Sequence, residues 1–175
     1  MNLDEKIISA LKDLDYEEAT EIQKKAIPIA LKRRDILAAA QSGTGKTAAF
    51  LLPILAELLE TKQTKTILRT LILVPTRELA SQISKAVEDF SKYMDISSLA
   101  MVGGVSTKDQ EKKIAKGIDI LVATSGRLME HLKNGTVNLS SVTTVVIDEL
   151  DTMLDMGFLE DIEKILPSVG PKQQI

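Results

Sequence analysis

The sequence has no cysteine. That excludes a disulfide framework, a thiolate zinc site and a thiol nucleophile. It has one histidine, His131, so the paired histidines of an H-E-x-x-H metalloprotease helix cannot be assembled. No G-x-S-x-G elbow of a serine hydrolase occurs. Aromatic residues make up only 3% of the chain, too few for a platform that binds by stacking bases. Neither sign of charge dominates: Lys and Arg number 22, Asp and Glu 25, and the net charge is −3. A protein held to nucleic acid by bulk charge is therefore excluded, though a local phosphate site is not. The longest mostly apolar stretch, Ala48 to Leu59, is interrupted by Pro53 and Glu57 and falls short of the roughly 20 residues a membrane helix needs. Met1-Asn2-Leu3-Asp4-Glu5 carries an early acidic pair and no following apolar run, unlike a signal peptide. These absences imply a protein of a reducing compartment, cytoplasmic and not membrane-bound.

What is present suits one domain with a substantial core: 175 residues, 44% hydrophobic and 27% charged. There is no internal repeat. Apolar runs alternate with helical patterns, which predicts a doubly wound α/β fold with a mostly parallel sheet flanked by helices. Helices are expected over 3–14, capped by Asn2 with Glu5, and over 21–31, capped by Thr20. Further helices are expected over 47–59, 76–93, 107–116, 126–133 and 159–166. Strands are expected over 35–39, 70–74, 98–102, 119–122 and 142–147. Pro171 to Ile175 reads as the entry to one more strand, as though the chain were cut within a fold.

Two motifs carry chemistry. Gly43-Thr44-Gly45-Lys46-Thr47 lies between an expected strand and an expected helix, the context of a P-loop. Glycines let backbone N–H groups turn towards phosphate oxygens, and the helix start adds the positive end of its dipole. Lys46 can reach the outer phosphates and the Thr47 hydroxyl can join a Mg²⁺ shell. Ala40 stands where the general pattern has its first glycine. About a hundred residues on, Val145-Val146-Ile147 runs into Asp148-Glu149. Such a strand delivers carboxylates to the carboxyl edge of an α/β sheet, where ligands bind. Asp148 is then the candidate Mg²⁺ ligand and Glu149 the candidate general base for water.

Together these motifs resemble the first RecA-like domain of a DEAD-box RNA helicase of superfamily 2, a P-loop NTPase, along nearly the whole chain. Ala40-Gln41-Ser42-Gly43-Thr44-Gly45-Lys46-Thr47 resembles that family's phosphate loop, which itself begins with Ala. Tyr16-Glu17-Glu18-Ala19-Thr20-Glu21-Ile22-Gln23 resembles its Q motif. The resemblance implies that Gln23 reads adenine, with Tyr16 near the base and Thr20 supporting the loop, and that ATP and Mg²⁺ are the cofactors. It departs at Asp15 and Ala19, where the family has Gly and Pro. Pro75-Thr76-Arg77-Glu78-Leu79-Ala80 matches motif Ia, Gly103-Gly104 matches the GG pair, and Thr124-Ser125-Gly126-Arg127 resembles motif Ib with Ser125 in place of Pro. The resemblance implies that Pro75, Thr76, Arg77, Gly103, Gly104, Thr124, Gly126 and Arg127 hold the RNA backbone, largely without regard to sequence. Helix starts and arginine forks suit phosphate, the lesser alternative for Arg77 being an internal salt bridge with Glu78 or a distant acid. The acidic motif reads Asp148-Glu149-Leu150-Asp151, and Leu150 in place of Ala threatens overpacking, at about 1–3 kcal/mol in a tight core.

The implied activity is ATP-dependent RNA unwinding or remodelling by a monomeric parent. Residues 1–31 would form the Q-motif helices and 32–175 the P-loop core. A second RecA-like domain, bearing arginine fingers, is a further implied partner, and without it this chain is expected to bind adenine nucleotide weakly and hydrolyse little. Two alternatives stand beside this: an RNA-binding adaptor that keeps the scaffold without catalysis, and a DNA-directed superfamily 2 ATPase. His131, the methionines and the mixed-charge stretch from Lys108 to Lys116 read as structural.

Overall fold

The computed structural model describes residues 3–41, 43–61, 66–170 and 174–175. Four strands, β1 (Thr70–Val74), β2 (Ser98–Met101), β3 (Ile120–Thr124) and β4 (Thr144–Ile147), form one parallel sheet in the order β2-β3-β1-β4. Thr70 lies opposite Ile120 on one side and Thr144 on the other, which puts the carboxyl ends of these strands along one edge. Side chains alternate between the faces, as the pleat requires. Ile72, Val74 and Val122 enter a core with Ile7, Ile27, Leu55, Ile83 and Phe90. Leu71, Leu73 and Leu121 enter a second core with Leu128, Met153, Ile162 and Ile165. The apolar runs of β1 and β3 are continuous because both faces are covered.

Helices α1 (Glu5–Asp13), α2 (Glu21–Ala30), α3 (Lys46–Glu60) and α4 (Arg77–Phe90) cover the first face. Helices α5 (Thr107–Ala115), α6 (Ser125–Lys133), α7 (Leu150–Asp155) and α8 (Leu159–Ile165) follow, and α6 to α8 bury their apolar residues in the second core. The doubly wound α/β expectation is met. No helix among the described residues is long and apolar enough to cross a membrane.

Three local expectations change. The cap of α1 is Asp4, whose carboxylate accepts from the Lys6 N–H at 2.8 Å, while Asn2 lies outside the described residues. Helix α7, not expected from the sequence, starts directly after the acidic pair and, at six residues, is too short to show a stripe. The strand expected over 35–39 does not form, and Leu37 is 94% exposed. The reason is the state of the neighbouring edge. Residues 171–173 of the expected strand entry lie outside the described residues; among the described ones beyond β4 there is an isolated parallel bridge between Thr144 and Gln174, and the Ile36 N–H reaches the Ile175 carbonyl at 3.0 Å. An apolar segment without a ladder beside it stays irregular.

At the amino-terminal edge of the sheet a buried ion pair joins Arg69 to Asp119 at 2.7 Å. The other Asp119 oxygen accepts from the Ser97 N–H at 3.0 Å and the Ser97 hydroxyl at 3.1 Å. Arg69 also donates to the Leu58 and Thr61 carbonyls, at 3.3 and 3.0 Å.

Candidate functional site

Because the strands are parallel, every loop that leaves a carboxyl end emerges on the same side. Helix α3 opens at the Gly-rich loop. Its N-cap, Gly45, has φ +91°, a left-handed value that favours glycine. A Cβ there would collide with the Gln23 amide, so the position is doubly restricted to glycine. Gln23 is buried, donates to the Gly45 carbonyl at 3.1 Å and accepts from the Thr20 N–H at 2.9 Å. The expected adenine reader is thus turned onto the phosphate loop, with Thr20 beside it. Tyr16 is not on the cavity described below. It packs edge-on against Phe90 of α4, with ring centroids 5.6 Å apart.

A cavity of about 890 Å³ opens between the segment from Ile36 to Gln41, helix α3 and the end of β4. Lys46, Gln41, Asp148 and Glu149 all line it. Lys46 Nζ donates to the Ala40 carbonyl at 2.9 Å, folded back over its own loop. Asp148 continues the ladder of β4, its N–H bonded to the Leu73 carbonyl at 3.0 Å. Burial pushes the Asp148 carboxyl above the ordinary carboxylate value, against the opposing pull of the Glu149 N–H and the Lys46 charge. Glu149 is one of three non-glycine residues with positive φ, at 52° among the described residues. Backbone strain of this kind persists where the surroundings fix it, and functional sites are common places for it. Thr47 follows Lys46 as the second residue of α3, half-buried, and is not on the cavity wall. Gly43 and Thr44 sit in the turn before it, with the Thr44 hydroxyl bonded to the Gln41 carbonyl at 2.7 Å, and Ser42 lies outside the described residues.

Leu150 is half-buried at the start of α7 and faces the cavity, so the overpacking its size threatens is avoided. Asp15, where a glycine is usual, sits at φ 55°. Asp tolerates that region better than most side chains do.

A second group lies along the same edge. Thr76 caps α4, accepting from the Leu79 N–H at 3.2 Å, and Pro75 is buried beneath it. Arg77 is exposed and donates to the Gly103 carbonyl at 3.2 Å, rather than forming a salt bridge. Thr124 caps α6 and Gly126 is exposed. Arg127 departs from the sequence expectation. Its side chain is only 10% exposed and its guanidinium is fully engaged inside the protein. It donates to Gln110 at 2.9 Å, Glu130 at 2.6 Å, the Val105 carbonyl at 2.8 Å and the Thr107 hydroxyl at 2.7 Å. It braces the loop that carries Gly103 and Gly104 rather than offering a free fork to phosphate. Gln110 and His131, both buried, complete that brace, and no local sequence pattern announced them.

A family model described as DEAD/DEAH box helicase matches residues 20–175. The chain is 43% identical over 175 residues to a probable ATP-dependent RNA helicase, ddx27, of Dictyostelium discoideum, covering 99% of this chain and 22% of that protein. It is 45% identical over 169 residues to the ATP-dependent RNA helicase DeaD of Escherichia coli strain K12, covering 96% of this chain and 26% of the relative. Among solved structures, a DEAD box protein from Methanococcus jannaschii superposes with a TM-score of 0.93 at 35% identity, covering all of this chain and 47% of that one. A hypothetical ATP-dependent RNA helicase from Sulfolobus tokodaii gives 0.88 at 37% identity, covering 99% and 49%. The chain therefore spans about a quarter of the length of the curated relatives named here.

Proposed function

The chain belongs to the DEAD/DEAH box helicase family, and we propose that it is the nucleotide-binding RecA-like domain of an ATP-dependent RNA helicase. The observation that carries this reading is the shared cavity, where Lys46 of the Gly-rich loop and the Asp148–Glu149 pair meet.

On this reading Lys46 releases the Ala40 carbonyl and turns to the outer phosphates of ATP. The N–H groups from Gly43 to Thr47 cradle the same phosphates at the helix start. The donor set fits Mg²⁺: a hydroxyl from Thr47 and a carboxylate from Asp148 are hard oxygen ligands, and among the described residues only one Asp148 oxygen is engaged, by the Glu149 N–H at 3.0 Å. No group of three or more His, Cys, Asp or Glu residues able to hold a metal occurs among the described residues. When bound, Mg²⁺ would neutralise charge on the phosphates. Glu149 orients a water for attack on the γ-phosphate and accepts its proton. The strained backbone at Glu149 fixes the direction of its side chain.

RNA backbone would lie along the second group, against the starts of α4 and α6, Arg77 and the Gly103–Gly104 loop. Relatives about four times as long as this chain support a further RecA-like domain, which would complete the RNA track and add cations to the transferred phosphoryl group.

Titration of a fluorescent ATP analogue against the protein tests the reading. Lys46→Ala should lower affinity by tenfold or more. Glu149→Gln should keep binding and lower RNA-stimulated hydrolysis in the parent protein by about 10²–10⁴-fold. Nucleotide binding indifferent to Lys46 would overturn the assignment and favour an adaptor that binds RNA on the same scaffold.

A further inference from the structure

The Gly103–Gly104 loop is fastened from below by a chain of buried hydrogen bonds whose direction can be worked out atom by atom. Arg127 Nε can only donate, so the Gln110 atom facing it at 2.9 Å is Oε1. Gln110 Nε2 then donates to the Val102 carbonyl at 3.1 Å, an atom that can only accept. Both assignments agree, which fixes the amide. His131 Nε2 lies 3.0 Å from the same Oε1 and so must carry a proton. In the neutral ring, Nδ1 is then the acceptor for the Thr136 hydroxyl at 2.7 Å, the shorter of two contacts that share that proton, the other being to the His131 carbonyl at 3.1 Å. Burial, together with the Arg127 charge, depresses the His131 pKa and favours that neutral ring. Gln110 and Arg127 between them hold the carbonyls of Val102 and Val105, one on each side of the two glycines. Arg77 takes the Gly103 carbonyl from the other side, and a Cβ on Gly104 would lie 2.5 Å from its Nη1.

We propose that His131 is a positioning residue for RNA-backbone binding, whose Nε2–H locks Gln110 and Arg127 and thereby presets the Gly103–Gly104 loop. The inference rests on the reading of that loop as an RNA contact. His131 itself is fully buried and touches no RNA. Removing its N–H leaves Gln110 Oε1 bonded to Arg127 alone, so the amide keeps its sense but is held by two hydrogen bonds in place of three. The loop then has to be ordered on binding, and affinity falls without loss of a phosphate contact.

The test compares wild type, His131→Phe, His131→Gln and Arg77→Ala by anisotropy titration of a fluorescent oligouridylate across a series of KCl concentrations. His131→Phe should weaken binding about five- to tenfold, the size of one hydrogen bond. Its dependence on salt should keep the wild-type slope, whereas Arg77→Ala should reduce that slope by about one. His131→Gln, whose amide can donate in place of the imidazole, should recover part of the loss. Amide NMR signals of Gly103 and Gly104 should shift in His131→Phe without RNA present. Wild-type affinity with unmoved glycine signals overturns the proposal, and so does a reduced salt slope, which would make His131 a direct contact. Should wild type fail to bind the oligonucleotide, the loop as an RNA contact of this domain by itself is overturned, and the glycine signals still decide whether the brace exists. Imidazole ¹⁵N shifts of the wild-type protein give a check that needs no folded variant: a neutral ring protonated at Nδ1 overturns the scheme.

Discussion

The two edges of the sheet handle their charged groups in opposite ways. At the amino-terminal edge, Asp119 meets Arg69 and Ser97 and both of its oxygens are satisfied, although the buried Arg69 Nε has no partner among the described residues. At the carboxyl edge, polar groups are left short of partners. Asp148 is held partly out of water with no cation bonded to it among the described residues, and Lys46 is parked on a backbone carbonyl. Glu149 occupies a left-handed conformation, and the buried Ser125 hydroxyl has no partner among the described residues. The first edge pairs its charges within the protein, without a ligand. The second keeps charge and strain that a bound anion and cation would relieve, so one sheet divides stability from chemistry.

This contrast can be broken in three places. Asp119→Ala should have the largest effect, because it strands the Arg69 cation in the interior. A loss of about 3–5 kcal/mol is expected from urea unfolding. A loss below 1 kcal/mol would show that water reaches the pair. Ser125→Pro should act in the other direction. Ser125 is the first residue of α6, Thr124 before it has ψ 141°, and the substitution deletes the orphaned hydroxyl. A gain of about 1 kcal/mol is expected in the same assay. The smallest effect should come from Asp148→Asn. Burial raises this carboxyl above its ordinary 3.8, so the folded protein holds the proton to higher pH than the unfolded chain does. Its contribution to stability is fullest below 3.8 and is lost as pH rises through the elevated folded value. Thermal unfolding of Asp148→Asn over an acid-to-neutral pH series should therefore lack that decline and melt slightly higher at neutral pH. A variant that melts lower at neutral pH would mean that the carboxylate is stabilising, not strained.

The sheet and most helices were legible because their signals are local. β1 and β3 are unbroken apolar runs, and Thr20 and Thr76 mark helix starts. The Gly-rich loop and the acidic pair were legible because each sits in one short segment. What escaped depends on distant neighbours. Residues 36–39 form an apolar run much as β1 does, yet whether they pair depends on what lies beside β4. Arg127 looks like a free fork in sequence, but its partners Val105, Thr107 and Gln110 lie 22, 20 and 17 residues away. Lys108 to Lys116 is charged enough to read as a solvated face, and only the fold shows that Gln110 turns inward from it.

One amide, that of Gln23, grips the carbonyl of Gly45 and the N–H of Thr20 at once. A purine seated against the Thr20 turn and a triphosphate wrapped by the glycines would tug on the same side chain. Bare pyrophosphate and a nucleoside without phosphates should each feel half of that linkage, so their separate affinities should not simply multiply to that of the whole nucleotide.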